Sequence, residues 1–200
     1  MADEAIAWNE RYRSGETPWD TNAPSPELER VIRADGIMPC RALEIGCGTG
    51  TNAVWLAQQA FDVTAMDLAP LAIEQARSRA AQAGVHVRFC AGDITRPPDL
   101  GAPFAFVFDR GCYHAVRRSN ASGYLAGLQQ VAAPGARVLI LAGNAREPHD
   151  PGPPVVSEAD IRAELGKIMT IERLREFRFA PKAGSGDNFL AWSILLRNAG

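Results

Sequence analysis

The chain has 200 residues, of which 46% are hydrophobic and 22% charged, and its formal net charge is −2. This length suits one compact domain with its own core. Because the charge is near zero and Arg117-Arg118 is the only adjacent basic pair, the composition argues against a nucleic-acid partner.

The sequence also argues against secretion, membrane insertion and a metal site. The first residues, MADEAIAWNERYR, are charged, and no apolar run reaches the roughly 18 residues that a membrane span needs. The cysteines at 40, 47, 90 and 112 form no C-x-x-C pair, and neither His86 nor His149 has a partner at metal-ligand spacing. We therefore expect a reduced, cytoplasmic protein with no bound metal and no membrane contact.

Helices and strands are predicted to alternate along most of the chain. Two N-terminal helices come first, over 2–13 and 26–34, separated by a loop rich in proline. Further on, strands are predicted at 41–45, 61–66, 85–90, 104–108 and 136–143, and helices at 51–60, 70–84 and 119–135. Prolines between Cys90 and Phe104 exclude a normal crossover helix there. This order is typical of a parallel sheet with helices on both faces.

The C-terminal quarter has a different pattern. A proline-rich loop over 144–156 precedes a capping box, 157–160, that opens a short helix ending at Gly166. Strands are predicted over 168–179 and 189–198, and the glycine-rich turn between them is too short for anything but antiparallel pairing. No linker divides the chain. We therefore predict a single domain over 1–200, made of an N-terminal lid segment, 1–36, and a Rossmann-like core, 40–197.

The strongest functional signal is the loop Glu44-Ile45-Gly46-Cys47-Gly48-Thr49-Gly50, which follows a strand and opens a helix. Glycines in such a loop let the backbone turn tightly and approach a ligand. A dinucleotide loop has the spacing G-x-G-x-x-G, whereas this loop has G-x-G-x-G and an acid two residues earlier. An acidic loop suits a cationic sulfonium that carries an amino acid better than a pyrophosphate. The pattern therefore favours S-adenosylmethionine.

Two further acids follow the next two strands. Asp67, at the end of the second strand and beside Leu68, can accept hydrogen bonds from both ribose hydroxyls. Asp93 follows the third strand and can accept the adenine amino group, while the Ile94 N–H meets a ring nitrogen. Each acid alone could be a solvated loop residue. With Glu44, however, the three are predicted to lie in a line along one edge of the sheet.

These features resemble a known family. The E-x-G-x-G-x-G loop, the second-strand Asp, the Gly92-Asp93 step and the antiparallel final pair are similar to class I S-adenosylmethionine-dependent methyltransferases over residues 40–197. The resemblance implies an α/β fold with a seven-stranded sheet in the order 3-2-1-4-5-7-6. The residues assigned to the cofactor are Trp8, Trp19, Glu44, Gly46, Cys47, Gly48, Gly50, Asp67, Leu68, Asp93, Ile94 and Asp109.

A narrower resemblance lies partly outside this core. The segment Trp8-Asn9, Tyr12, Thr17-Pro18-Trp19-Asp20 and the loop Pro151-Gly152-Pro153-Pro154 resemble the thiopurine, thiol, halide and tellurite methyltransferases. Asp109-Arg110-Gly111 resembles the thiopurine members, whereas Cys112-Tyr113-His114 is closer to general small-molecule methyltransferases. The resemblance implies that Trp19 closes over the cofactor. The alternative is that both tryptophans merely pin the N-terminal helix to the core.

Asp109 and His114 are the predicted catalytic residues. Asp109 ends the fourth strand, and Asp109-Arg110 could orient the acceptor or bind the cofactor's amino group, or could be only a structural ion pair. His114 is a candidate general base. The predicted reaction is methyl transfer to a small molecule such as a thiol, a halide or another soft nucleophile, for which no base is needed. Alternatives are a hydroxyl of a small aromatic metabolite, an RNA or protein acceptor, and a protein that binds the cofactor without turnover.

Overall fold

The computed structural model describes residues 2–150, 152–181 and 188–200. Within them the chain forms six α-helices and eight β-strands. The helices are α1 (Ala2–Ser14), α2 (Pro26–Ala34), α3 (Thr51–Gln58), α4 (Pro70–Ala83), α5 (Cys112–Val131) and α6 (Glu158–Ile168). The strands are β1 (Arg41–Ile45), β2 (Asp62–Asp67), β3 (Arg88–Ala91), β4 (Phe104–Arg110), β5 (Ala132–Asn144), β6 (Val155–Val156), β7 (Thr170–Arg178) and β8 (Leu190–Arg197).

The strands form one sheet in the order β3-β2-β1-β4-β5-β8-β7, and the two-residue β6 pairs with β5 beside this path. Strands β3, β2, β1, β4 and β5 are parallel, whereas β8 is antiparallel to both β5 and β7. The predicted order is therefore confirmed, with the short β6 as the one added strand. Of the predicted glycine-rich turn 181–187, residues 182–187 lie outside the described residues, as does Pro151.

Two apolar cores cover the two faces of this sheet. Helices α5 and α6 pack on one face, where Tyr113, Tyr124 and Leu128 are fully buried. Helices α2, α3 and α4 pack on the other, where Leu28 and Leu56 are fully buried. The central strand β4 supplies side chains to both cores, which explains why its sequence is apolar at nearly every position. None of the described helices is long and apolar enough to cross a membrane.

Two predicted boundaries are wrong, and one helical segment was not predicted. β3 begins at Arg88 rather than at residue 85. Helix α5 is kinked at Asn120, where φ is −150° and ψ is 66°, so the helix start predicted at 119 is confirmed. The helical segment before the kink was not predicted, and it begins at Cys112 because the Asp109 carboxylate accepts the N–H groups of Cys112 and Tyr113. The predicted Pro-Gly stop after α5 lies inside β5 instead, where the register against β4 shifts. Elsewhere the predicted helices and strands match within about three residues.

Candidate active site

The glycine loop lies at the carboxyl end of β1, between β2 and the start of α5. Gly46 and Gly48 adopt φ of +64° and +52°, which side chains rarely tolerate. A Cβ at Gly46 would lie 2.8 Å from the Cys112 Cβ, and one at Gly48 would lie 3.0 Å from the Tyr12 hydroxyl. Gly46, Cys47 and Gly48 also line a cavity of about 40 Å³ beneath the N-terminal segment. These positions therefore need glycine both for backbone conformation and for close approach.

Gly50 does not share this role. It has φ +79° at the start of α3, and a Cβ there would lie 2.8 Å from the Ala76 Cβ and 3.3 Å from the Phe89 ring. It packs against α4 and does not line the cavity at the loop. The third glycine thus allows α3 and α4 to pack closely, and its contact with the cofactor stays a prediction.

Asp67 organises the loop from the end of β2. Its Oδ2 accepts the Gly48 N–H at 2.8 Å, and its Oδ1 accepts the Ala69 N–H at 2.9 Å. Only 8% of its surface is exposed, and burial raises the pKa of its carboxyl. Each carboxylate oxygen can accept a second hydrogen bond. Asp67 can therefore hold the loop and receive ligand hydroxyls with the same carboxylate, while Leu68 beside it is half-buried.

Glu44 is a buried acid with one unused oxygen. Its Oε1 accepts a hydrogen bond from Asn52 Nδ2 at 3.1 Å, whereas Oε2 is buried without a hydrogen-bond partner. Burial raises the pKa of this carboxyl to about 8. Glu44 lines the cavity at the glycine loop together with Arg110. A buried acceptor without a partner is costly, so the geometry fits a cationic group that would enter and pair with it.

Glu44 makes the stability of the ligand-free protein depend on pH. Between its ordinary pKa of about 4.3 and the raised value of about 8, the folded protein keeps this proton and the unfolded chain releases it. The free energy of unfolding therefore falls as pH rises through this window. Burial also raises the pKa of Asp109, to about 7, so this residue too lowers the free energy of unfolding as pH rises.

We expect Glu44→Gln to weaken this dependence. The loss of unfolding free energy between pH 5.5 and 7.5 should be smaller than in the wild type by about 2 kcal/mol, since one proton is worth about 1.4 kcal/mol per pH unit. Chemical denaturation at both pH values measures the difference. Glu10→Gln, on an exposed side chain, is the matched control. Equal pH dependence in wild type and Glu44→Gln would contradict the assignment.

An aromatic cluster formed by Trp8, Tyr12 and Trp19 covers the loop. The Trp8 and Trp19 rings meet edge to face at 5.5 Å between centroids, and the Tyr12 and Trp19 rings at 6.1 Å. The Arg11 guanidinium lies 4.5 Å from the Trp19 ring centroid. The cluster packs on Ala69 and Ala72 at the start of α4, and Trp19 alone of the three rings lines the cavity. Trp8 is thus seen to anchor α1, and the lid role of Trp19 remains a prediction.

Polar contacts tie this segment to the elements beneath it. The Thr49 hydroxyl donates to Asp20 Oδ2 at 2.7 Å, and Asn52 Oδ1 accepts the Ser25 N–H at 2.8 Å. The cavity left below is about 40 Å³, against the 300 Å³ or more that small-molecule pockets usually occupy. Admission of a ligand at this end of the loop therefore requires the segment to move outward.

Asp93 and Ile94 lie beyond the end of β3, as predicted, and are held tightly. Asp93 accepts the Thr95 N–H and hydroxyl at 2.8 and 2.9 Å. Ile94 is buried, and its carbonyl lies against Gly127 of α5, where an added Cβ would be only 1.7 Å away. The close contact between the α5 backbone at Gly127 and the Ile94 carbonyl therefore fixes the position of this segment relative to α5. Its hydrogen bonds to adenine remain a prediction.

Asp109 has a structural role at the start of α5, and its predicted catalytic and cofactor-binding roles remain predictions. The residue is fully buried, and its carboxylate accepts the Cys112 and Tyr113 N–H groups at 2.9 and 3.0 Å and the Tyr124 hydroxyl at 2.7 Å. Three donors from α5 thus bind a carboxylate that is fully buried in this arrangement. Asp109 therefore fixes the start of α5 and the backbone of its neighbour Arg110.

His114 cannot act as a general base in this arrangement. Its Nδ1 accepts the Gly143 N–H at 2.9 Å, so the neutral ring carries its hydrogen on Nε2. Burial, with a contribution from Arg110, lowers the pKa of this imidazole to about 3. The ring therefore has no free lone pair near neutral pH, and it joins α5 to β5 instead.

Arg110 is a further residue of this site, which the sequence predicts only as the partner of Asp109. Its Nη1 donates to the Trp19 carbonyl at 2.9 Å, its guanidinium lies 5.0 Å from the Phe179 ring centroid, and it lines the cavity beside Glu44. It is the last residue of β4 and directly follows Asp109. Tyr12 and Asp20 were noted only for their resemblance, and their contacts to the glycine loop depend on a fold-back of the N-terminal segment.

Comparison with known proteins agrees with this geometry. The family model for thiopurine S-methyltransferase matches residues 3–186. The chain belongs to the thiopurine S-methyltransferase family. One relative, the 2-heptyl-1-hydroxyquinolin-4(1H)-one methyltransferase of Mycobacteroides abscessus, is 30% identical over 175 residues, which are 86% of this chain and 75% of that protein.

Two solved structures superpose over nearly the whole chain. One, from work on the conversion of a disulfide bond into a thioacetal group during echinomycin biosynthesis, has a TM-score of 0.84 and 27% identity, covering 98% of this chain and 92% of that one. The 1,6-didemethyltoxoflavin-N1-methyltransferase of Burkholderia thailandensis, with bound S-adenosylhomocysteine, has a TM-score of 0.77 and 22% identity, covering 100% and 88%. The protein is thus a small-molecule methyltransferase that uses S-adenosylmethionine.

Proposed function

We propose that this enzyme methylates small molecules whose nucleophile is soft or already ionised, with aromatic thiols as the first class. S-adenosylmethionine supplies an electrophilic methyl group. The observation that carries the proposal is that His114, the candidate general base, has no free lone pair in this arrangement. An acceptor that arrives as a thiolate needs no base.

Three side chains near the loop support this view. The His114 imidazole has its free nitrogen protonated, and the Asp109 carboxylate accepts three hydrogen bonds from α5. Burial raises the pKa of the Cys112 thiol well above its usual value, so this thiol is neither base nor nucleophile. The work left to the protein is to align the acceptor and to exclude water.

The residues at the loop fit the two charged ends of an amino acid. Glu44, with its unpartnered Oε2, would pair with the cofactor's ammonium, and Arg110, in the same cavity, with its carboxylate. Asp67 would accept the ribose hydroxyls, and Ile94 and Asp93 would receive the adenine edge. Trp19, which lines the same cavity, would exclude water from above.

A hydroxyl acceptor is the second candidate. The name of the Mycobacteroides abscessus relative specifies a 1-hydroxyquinolin-4(1H)-one, whose acceptor group is not a thiol. An acidic hydroxyl on an aromatic ring would also reach the enzyme as an anion, so the absence of a working base suits it equally. A panel that pairs aromatic thiols with N-hydroxyquinolones and phenols separates the two candidates.

The panel should show turnover of thiophenols, measured as S-adenosylhomocysteine formed, with rates that follow the thiolate fraction as pH rises. Turnover of hydroxyl acceptors alone would replace the thiol proposal by the second candidate. No turnover of any small acceptor, despite saturable cofactor binding, would contradict both candidates. Methylation of RNA or protein in the same assay would redirect the search to macromolecular acceptors.

We expect His114→Asn to keep kcat for thiophenol within about threefold of wild type. Asn Oδ1 can replace His Nδ1 as acceptor of the Gly143 N–H, and the imidazole has no free lone pair with which to take a proton from the acceptor. Steady-state kinetics from pH 6 to 9 test this expectation. Ser119→Asn, on an exposed part of α5, is the control for effects of substitution and purification that are unrelated to the imidazole. A loss of a hundredfold or more in kcat with intact folding would restore His114 as a catalytic base.

A further inference from the structure

Asn52, in the first turn of α3, connects the acid of the glycine loop to the N-terminal segment. Its Nδ2 donates to Glu44 Oε1 at 3.1 Å, and its Oδ1 accepts the Ser25 N–H at 2.8 Å. A backbone N–H can only donate, so the amide oxygen faces Ser25 and the NH2 group faces Glu44. Both partners are buried, with 1% and 7% of their surfaces exposed. One side chain thus links β1 to the residue that precedes α2.

Glu44 is the partner whose charge can change. Burial raises the pKa of its carboxyl to about 8, although hydrogen bonds from Asn52 and the Ala53 N–H act to lower it. Asp67 adds to the rise, and Arg110 opposes it. The carboxyl is therefore mostly neutral at pH 7 in the ligand-free protein. A cofactor ammonium that pairs with the unpartnered Oε2 would favour the ionised form, and the proton would pass to solvent.

This change of charge would strengthen the hydrogen bond from Asn52. A hydrogen bond to an ionised acceptor is shorter and about twice as strong as one between neutral groups. Hydrogen bonds in a chain also polarise one another, so a stronger bond at Nδ2 favours a stronger bond at Oδ1. The Ser25 N–H would then be held more firmly when Glu44 is ionised than when it is neutral.

Two other contacts to the N-terminal segment differ from this one. Arg110 Nη1 donates to the Trp19 carbonyl at 2.9 Å, but an arginine remains a cation with and without a ligand. The Thr49 hydroxyl donates to Asp20 Oδ2 at 2.7 Å, a bond that involves neither Glu44 nor its amide partner. Both contacts can hold the segment over the loop, but the bond through Asn52 is the one that would respond to an ammonium at Glu44.

We propose that Asn52 is a positioning residue that couples binding of the cofactor's ammonium at Glu44 to closure of the N-terminal segment over the glycine loop. The inference rests on the proposed function in one respect, the pairing of Glu44 with that ammonium. Because such coupling is reciprocal, the closed segment also raises the affinity for a ligand that carries the ammonium. The product, S-adenosylhomocysteine, keeps this group, so the segment stays closed and excludes water until the product leaves.

The first test compares S-adenosylhomocysteine with its desamino analogue, in which hydrogen replaces the amino group, by calorimetric titration. The wild type should bind S-adenosylhomocysteine at least tenfold more tightly. Asn52→Ala should lower this preference about fivefold, because the variant loses a charge-assisted bond with one ligand and a neutral bond with the other. Gln58→Ala removes an exposed carboxamide from the same helix and should keep the wild-type preference.

Hydrogen exchange over residues 15–25 measures closure itself. S-adenosylhomocysteine should slow exchange about tenfold or more in the wild type, and about threefold or less in Asn52→Ala. Ser25→Pro breaks the link at its other end, because proline has no N–H although it adopts the φ of −66° found at Ser25. This variant should lose the ligand preference as Asn52→Ala does. Ser25→Ala keeps the N–H and should behave like the wild type.

The outcomes separate the coupling from the pairing on which it rests. If the wild type binds both ligands equally well, the pairing of Glu44 with the ammonium is wrong, and the coupling is wrong as well. If the wild type prefers S-adenosylhomocysteine but Asn52→Ala weakens both ligands by the same factor, Asn52 has only a structural role and the pairing stands. A wild-type preference in Asn52→Ala, with wild-type hydrogen exchange, also contradicts the coupling. Should Asn52→Ala fail to fold, the comparison of Ser25→Pro with Ser25→Ala decides.

Discussion

Asp67→Asn should weaken the binding of S-adenosylhomocysteine about a hundredfold. The carboxylate at the end of β2 is placed to accept two ribose hydroxyls, and two hydrogen bonds to a charged group are together worth about 3 kcal/mol. The same carboxylate accepts the Gly48 and Ala69 N–H groups at 2.8 and 2.9 Å. An amide presents an NH2 group to one of those donors, so we also expect a fall in thermal stability.

Calorimetric titration and thermal unfolding, performed on the same preparations, separate the two effects. Asp62→Asn is the matched control, because Asp62 begins the same strand at its exposed end, away from the loop. That variant should bind and unfold like the wild type. Unchanged affinity in a folded Asp67→Asn would mean that Asp67 serves only the backbone of the glycine loop. In that case Asp67, the central one of the three acids predicted to lie along the sheet edge, would not bind the cofactor.

The sequence is most informative about functional residues that lie at or just after the end of a strand. Acids after β1, β2 and β3 were predicted to share one edge because parallel strands end together, and the sheet places all three there. The loop glycines were identified by their spacing. The segment of α5 before its kink was missed because it depends on the Asp109 carboxylate, which was interpreted as part of the chemistry. A buried acid that caps a helix and one that binds substrate look alike in a sequence.

The roles that failed depend on contacts between distant segments. His114 lost its assigned role to a backbone N–H from β5, 29 residues away. Arg110 gained one because residues 19–27 fold back over the sheet edge and meet it. Neither contact leaves a periodic or compositional signal. The protonation state of such groups depends on burial and partners, which only the folded chain defines.

Gly127→Ala should be among the most damaging single-methyl changes in the chain. A Cβ at this position of α5 would lie 1.7 Å from the Ile94 carbonyl oxygen and 2.9 Å from its carbon, and both are backbone atoms that cannot rotate away. The helix and the segment after β3 must separate, at a cost of about 3 kcal/mol in the free energy of unfolding. Ile94 would move with that segment, so affinity for S-adenosylhomocysteine should fall as well.

Gly166→Ala is the control, since it makes the same change within a helix where the nearest atom to the new Cβ is 3.5 Å away. There the added methyl should raise stability by about 0.5–1 kcal/mol, because alanine loses less backbone freedom on folding. Urea denaturation of both variants provides the comparison. If Gly127→Ala proves as stable as the wild type, the contact between α5 and Ile94 is not tight. In that case α5 does not determine the position of the segment that is predicted to contact adenine. If stability falls while cofactor affinity holds, the two segments separate elsewhere and the Ile94 N–H is not a ligand contact.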